Sequence, residues 1–160
     1  MLLIRSPENV PGDLPQPVVF CAGSIEMGAA SDWQIQVAGE LEEVPGTLLS
    51  PRRREWDASW PQTPDFQPFR EQVTWELNGI LDYCDMVLFH FEAGTRSPIT
   101  LLEMGLALGW GLPAVISCPP EYWRHGNVVI TANRFGERVH DTLDAAVAEL
   151  TRRVHHFHKR

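Results

Sequence analysis

The stretch that decides the fold is MVLFHF at residues 86–91, followed by SPITLLEMGLALGW at residues 97–110 and PAVIS at residues 113–117. The first and third segments are short continuous apolar runs, which are typical of strands buried on both faces of a parallel sheet. Between them, Ser97 and Pro98 indicate a helix start, because serine is a preferred N-cap and proline fits the first helical position. The stretch therefore predicts a strand, a crossover helix and a second strand.

Apolar runs elsewhere in the chain predict the remaining strands. They lie at residues 17–23 and 47–49, with a shorter run at residues 128–130. Residues 1–16 are rich in Pro, Gly and polar side chains, and we expect them to form an irregular arm. Residues 50–68 contain four prolines and predict a long loop, which in a compact domain usually has a functional role.

Three other segments have the 3.6-residue periodicity of amphipathic helices. The first follows an N-cap at Ser31-Asp32, and the others span residues 69–83 and 142–154. Strands that alternate with helices favour right-handed crossovers and a parallel sheet. We therefore expect one α/β domain over all 160 residues, with a three-layer flavodoxin-like (Rossmann-like) fold. Its sheet should be mostly parallel, with about five strands and helices on both faces.

The composition excludes several classes of protein. The formal net charge is −8, whereas a domain that binds nucleic acid polymers needs a basic face. No run approaches the roughly 20 apolar residues of a membrane span, and the apolar N-terminus is too short for a signal peptide. Three cysteines without CxxC spacing favour neither a disulfide framework nor a zinc site. We therefore expect a cytoplasmic protein without a metal, a membrane or a nucleic acid partner.

Three segments are expected to meet at one edge of the sheet, because ligands of such folds bind beyond the carboxyl ends of the strands. They are residues 23–28 after the first strand, residues 51–57 after the second, and residues 94–103 after the third. Gly23-Ser24 resembles a phosphate-cradling turn, although an ordinary strand-to-helix turn explains it equally well. The guanidinium groups, indole and carboxylate of the second segment suit either a base or phosphate contact or surface salt bridges.

Two glutamates are the candidate catalytic groups. Glu103 lies in the second turn of an otherwise apolar helix, where a carboxylate needs a partner or its pKa rises. Glu76, on the preceding helix, is flanked by Trp75 and Leu77. Two carboxylates in one cleft suit acid–base or glycosyl chemistry. For each of them, a solvent-facing position on an amphipathic helix is the alternative.

Four segments of the chain resemble the nucleoside 2-deoxyribosyltransferase-like family. They are CAGSI at residues 21–25, SPRR at 50–53, QVTWE at 72–76 and SPITLLEMG at 97–105. The resemblance implies that Glu103 is a nucleophile that attacks C1′ of the sugar and displaces the base, and that a second base or water then resolves the sugar ester. It implies no cofactor, since a carboxylate nucleophile needs none.

The resemblance also implies roles for three other residues. Glu76 stands where the family usually has an aspartate, and would hold the base or assist protonation of the leaving group. Asn127 resembles an asparagine that reaches a neighbouring subunit's site, in a homodimer or higher homo-oligomer. Ser97 resembles a serine that meets a 5′-phosphate in related N-hydrolases, although helix capping alone also explains it. The other expected substrate-binding residues come from the three segments at the sheet edge: Gly23, Ser24, Ile25, Arg52 and Asp57.

Three functions remain open for a small-molecule nucleoside or nucleotide ligand. The first is transfer of a deoxyribosyl group between bases through a covalent Glu103 intermediate. The second is hydrolysis of the same N-glycosidic bond in nucleoside 5′-monophosphates. The third is a non-catalytic nucleotide-binding module, because a fold by itself does not define an activity.

Overall fold

The computed structural model describes residues 1–25, 31–157 and 159, and these residues form an α/β domain with a parallel six-stranded sheet. The elements in chain order are β1 (Leu2–Arg5), β2 (Val18–Gly23), α1 (Trp33–Glu40), β3 (Thr47–Ser50), α2 (Gln67–Asn78), a π-helical turn (Gly79–Tyr83), β4 (Met86–His90), α3 (Pro98–Trp110), β5 (Ala114–Ser117), α4 (His125–Arg134), β6 (Val139–His140) and α5 (Leu143–Phe157). The strand order is β1-β3-β2-β4-β5-β6, and every pairing is parallel.

Helices cover both faces of the sheet, which gives the three layers that the alternating pattern predicts. One apolar cluster joins the sheet to α3 and α4 through residues such as Met104, Leu108 and Val128. The cluster on the other face contains Trp33 of α1 and Leu150 of α5. Because both faces are covered, β2 and β4 are buried along their whole length. The predicted fold class is confirmed.

The strand predicted at residues 128–130 is wrong, since this segment lies in α4. In the helix, Val128 and Ala132 are spaced by four residues and both are buried, whereas Ile130 is 73% exposed. The β-branched residues suggested a strand, but strand preference depends on packing, and here packing of one helical face decides. The strand that follows β5 is instead the two-residue β6, which completes six strands rather than about five.

The predicted irregular arm at residues 1–16 is wrong at its start, where β1 forms. This edge strand pairs with β3 so that Ile4 lies opposite Leu49. Only Ile4 of this strand is buried, so the segment lacks a strong alternating signal, and pairing with β3 decides its conformation.

The helix predicted at residues 69–83 is confirmed as α2 followed by the π-helical turn, although it starts two residues earlier. A Cβ atom at Gly79 would lie 2.6 Å from the Phe20 ring, so the close approach of this turn to β2 requires glycine. The predicted cap of α1 is also present, since the Asp32 carboxylate accepts a hydrogen bond from the Ile35 N–H. Within the described residues, no helix is long and apolar enough to cross a membrane.

Candidate active site

The turn after β2 is held in one position by the neighbouring strand and by α1. The Ser24 N–H donates to the His90 carbonyl at 2.9 Å, and the Trp33 indole N–H donates to the Ser24 carbonyl at 3.1 Å. A Cβ atom at Gly23 would lie 2.5 Å from the Trp33 ring and 2.6 Å from the His90 carbonyl oxygen. Gly23 is therefore required for close packing. Of the predicted segment 23–28, residues 26–28 lie outside the described residues.

Three buried hydroxyl groups meet directly after this turn, and we refer to Ser24, Thr95 and Ser97 as the hydroxyl cluster. The Ser24 Oγ lies 2.7 Å from the Thr95 Oγ1 and 2.6 Å from the Ser97 Oγ, and the last two atoms are 2.9 Å apart. The Glu92 N–H also donates to the Ser24 Oγ. The structure thus joins Ser24 and Ser97, two predicted site residues that are 73 positions apart in the sequence.

Ser97 occupies the N-cap position of α3, but its side chain does not cap the helix. Its backbone has φ 44° and ψ 52°, in the left-handed region that serine adopts rarely and at a cost of about 1 kcal/mol. The hydroxyl turns toward Ser24 and Thr95 instead. Side-chain capping therefore does not explain Ser97, and the N–H groups of the first turn remain suited to an anion beside the hydroxyl cluster.

The two candidate carboxylates, Glu103 on α3 and Glu76 on α2, influence each other electrostatically. Glu103 is 8% exposed, and burial raises its pKa well above the ordinary value, with a further increase from the negative charge of Glu76. Burial also raises the pKa of Glu76 to about 7, against the opposing effect of a hydrogen bond from Gln72. Burial thus favours the protonated form of both groups, and a charge on Glu76 favours it further at Glu103.

Gln72, which was not predicted as a site residue, holds Glu76 in place. Its Nε2 donates to the Glu76 Oε1 at 2.9 Å and to the Pro51 carbonyl at 2.7 Å, while the Ser6 hydroxyl donates to its Oε1 at 2.6 Å. The side chain is 4% exposed. The four-residue spacing of Gln72 and Glu76 on one helix was the available signal. The contact with Ser6 carried no signal, because it depends on β1.

The loop after β3 sends its predicted residues in different directions. Arg52 reaches the start of α1, where its Nη1 donates to the Ser31 carbonyl at 2.8 Å and its Nε lies 3.8 Å from Asp32. The exposed Asp57 accepts a hydrogen bond from the Ser59 N–H within its own loop, and bonds to Ser59 lower its pKa. Among the described contacts, neither residue touches Glu76 or Glu103.

Two other predicted residues lie at the edge of this region. Ile25 is half-buried and is the last residue described before residue 31. Asn127 is exposed in the first turn of α4, where it has no contact with the carboxylates among the described residues. Its role at a neighbouring subunit's site therefore stays a prediction.

Two shallow clefts of about 230 and 240 Å³ lie beside β1 and α2, and neither includes Glu76, Glu103 or the hydroxyl cluster. Glu103 itself is 8% exposed within the described part of the chain. In the same part, no group of three or more His, Cys, Asp or Glu side chains is arranged to hold a metal ion.

Comparison with known proteins identifies the family. The family described as nucleoside 2-deoxyribosyltransferase like matches residues 16–122, which is most of the chain and includes the hydroxyl cluster, Glu76 and Glu103 but not Asn127. No curated protein matches the chain. The chain belongs to the nucleoside 2-deoxyribosyltransferase-like family.

Proposed function

We propose that the protein cleaves the N-glycosidic bond of a (deoxy)nucleoside or nucleotide and transfers the deoxyribosyl group to another base. Membership in the family supports a function of the glycosyl-transfer or N-glycosidase type. The observation that carries the proposal is the raised pKa of two carboxyl groups, the partly buried Glu76 and the buried Glu103, together with the effect of the Glu76 charge on Glu103.

In this mechanism Glu103 is the nucleophile and Glu76 is the acid–base group. A Glu103 oxygen bonds to C1′ as the bond from C1′ to the base nitrogen breaks, and the leaving base takes a proton from Glu76. A second base, or water, then attacks C1′ and releases Glu103, while Glu76 receives the proton of the incoming group. Two inversions give retention at C1′.

The two carboxyl groups, Glu76 and Glu103, suit this sequence of steps. Positive charge develops at C1′ in an oxocarbenium-like transition state, and it stabilises the anionic form of Glu103. In the proposed mechanism Glu103 reacts as the anion, and Glu76 holds the proton that passes to the leaving base. The hydrogen bond from Gln72 keeps the Glu76 carboxyl oriented throughout.

The test is to incubate the purified protein with a deoxynucleoside and a different free base, and to separate the products. A new nucleoside is the expected result and establishes transfer. Release of free sugar and base alone would establish hydrolysis. Absence of both products over a panel of nucleosides and nucleotides would leave the non-catalytic binding module as the function.

The second candidate function is N-glycosidic hydrolysis of nucleoside 5′-monophosphates. It is favoured by the hydroxyl cluster and by the first turn of α3, which the Ser97 side chain does not cap, since the two together suit a 5′-phosphate. The Ser97→Asp variant should lower base release from the monophosphate much more than release from the nucleoside, since aspartate repels phosphate. An equal loss on both substrates would contradict a 5′-phosphate contact.

The proposal includes a homodimer or higher homo-oligomer with shared sites, and the polarity of α3 supports it. The two polar residues between Pro98 and Trp110, Thr100 and Glu103, are both buried, whereas the outward side is apolar. Its large exposed side chains are Ile99 (58%), Leu102 (65%), Leu106 (37%) and Trp110 (68%). A helix whose outward side is also apolar is stabilised when that side is buried in an interface. A second copy of the chain supplies a matching surface.

Besides this apolar face of α3, the neighbouring helix α4 also exposes an apolar side chain, since Ile130 is 73% exposed, and Asn127 lies one turn earlier. A second copy on this face would bring Asn127 close to a partner's site. Light scattering should show a dimer or larger assembly for the wild type and a monomer for Leu102→Glu. Glu121→Gln, an exposed change outside this face, is the control. A wild-type monomer at micromolar concentration would contradict the assembly.

A further inference from the structure

A cluster of two arginines and a tryptophan lies next to the hydroxyl cluster, and none of the proposed steps uses it. It consists of Arg96, Trp123 and Arg124, which we call the Arg–Trp cluster. The guanidinium of Arg124 lies 4.2 Å from the centre of the Trp123 ring, and that of Arg96 lies 6.0 Å from it. Two positive charges therefore lie together in a chain whose net charge is −8.

The Arg–Trp cluster is fixed to the start of α3 by hydrogen bonds. The Trp123 Nε1 and the Tyr122 hydroxyl both donate to the Arg96 carbonyl, at 3.1 and 2.7 Å. Tyr122 is 2% exposed and packs against Phe91. Because Arg96 directly precedes Ser97, the cluster has a defined position beside the hydroxyl cluster.

Arg124 is available for a ligand. It is exposed, and within the described residues its guanidinium forms neither an ion pair nor a hydrogen bond and contacts the Trp123 ring. The contact with the ring restrains the guanidinium without occupying its N–H groups. An acceptor-rich anion would satisfy such groups.

We propose that the substrate is a nucleotide extended beyond its first phosphate, and that the Arg–Trp cluster binds the second phosphate. This proposal rests on the proposed function, in which the hydroxyl cluster and the first turn of α3 receive the 5′-phosphate. A second phosphate is linked to the first through one oxygen and therefore stays close to it. With the first phosphate beside Ser97, the second would be within reach of the residue that precedes Ser97. Guanidinium groups match phosphate oxygens in geometry as well as charge.

The test compares kcat/KM for base release from a deoxynucleoside, its 5′-monophosphate and its 5′-diphosphate. The variants are Arg124→Gln and Trp123→Leu, and Arg134→Gln is the matched control. Arg134 is exposed in the last turn of the same helix, and its substitution removes the same charge at a distance from the cluster.

The wild type should prefer the diphosphate over the monophosphate by about tenfold, as expected for one charge-assisted contact. Arg124→Gln should remove most of this preference while leaving the deoxynucleoside unaffected, and Trp123→Leu should reduce it in part. Arg134→Gln should retain it. Equal use of both nucleotides by the wild type, or an equal loss on all three substrates in Arg124→Gln, would overturn the proposal.

Calorimetric titration with inorganic pyrophosphate and with inorganic phosphate separates this inference from the proposed function. The wild type should bind pyrophosphate more tightly than phosphate, and Arg124→Gln should bind the two alike. If no substrate loses its base, the proposed function fails, and the titration still decides whether the cluster binds a second phosphate. Equal binding of the two ions by the wild type would reject the inference.

Discussion

Two pairs of acidic residues in this protein have opposite environments. Glu103 is buried and Glu76 is partly buried, and within the described residues neither forms an ion pair with a cation, so their pKa values rise. Glu137 and Glu149 lie against Arg153, with N···O distances of 2.8 Å, and hydrogen bonds from Arg152 and Arg153 lower the pKa of Glu149 to about 2.

The contrast separates carboxylates that stabilise the fold from those suited to chemistry. The Glu137 side chain also accepts the Ala114 N–H, and Arg153 donates to the Ala114 carbonyl, so this network ties α5 to the start of β5. The pair at Glu76 and Glu103 makes no such tie to a cation, and its burial opposes ionisation. Burial of ionisable groups that is not offset by an ion pair reduces stability, and it is typical of functional sites.

The largest expected effect comes from removing the nucleophile. Glu103→Gln should lower the rate of base release by about 1,000-fold or more, because no sugar ester can form. The measurement is single-turnover release of base, with circular dichroism to verify the fold. Glu137→Gln, which changes the other pair, is the control and should retain activity. Unchanged release by Glu103→Gln would exclude the nucleophile role.

The next effect concerns the acid. Glu76→Gln should lower kcat by about 100-fold, within the range for a lost general acid. Since Glu76 acts in its protonated form and its pKa is about 7, wild-type activity should fall as the pH rises through that value. A deoxynucleoside with an activated leaving base should be much less sensitive to the substitution. If both substrates lose rate equally, Glu76 does not protonate the base.

A third prediction concerns the pair that stabilises the fold, Glu137 and Glu149. Arg153→Leu should reduce the free energy of unfolding by about 2 kcal/mol, because it leaves the partly buried Glu137 without its cation and removes one of the two cations beside Glu149. Activity should persist under conditions where the variant is folded. Urea denaturation gives the stability, and Arg152→Leu is the control, since its side chain is 68% exposed and should contribute little. A larger loss from Arg152→Leu would contradict this ranking.

The smallest effect is a pH-dependent gain in stability. The raised pKa of Glu103 means that the folded protein retains a proton that the unfolded chain releases above its ordinary value of 4.5. Wild-type stability should therefore fall as the pH rises above that value, and Glu103→Gln should be more stable than the wild type at neutral pH.

Glu149→Gln should behave in the opposite way. The lowered pKa of Glu149 contributes stability that is present above the unfolded value and is lost as the pH falls toward about 2. This variant should be less stable at neutral pH, with a difference that shrinks on acidification. Thermal unfolding of both variants from pH 4 to pH 8 would test the signs, and parallel curves for both would contradict the comparison.

Much of this architecture follows from local sequence patterns. Apolar runs predicted β2, β3, β4 and β5, and amphipathic periodicity predicted α1, α2, α3 and α5, because burial of a strand or of one helical face leaves a repeat in the sequence. The same patterns placed Glu103 in an apolar helix. They failed at β1 and α4, where one short segment depends on its strand partner and the other on its packing against the sheet.

What only the tertiary structure decided are the relations between distant residues. The contacts of Ser24 with Ser97 and of Ser6 with Gln72 join positions 73 and 66 residues apart, and no local pattern encodes them. The pKa of Glu103 likewise depends on burial and on the charge of Glu76, which reaches it through space. Sequence by itself determined which segments become strands and helices, because that choice is mainly local. Packing decided which carboxylates have raised and which have lowered pKa values, because desolvation and charge are properties of the assembled fold.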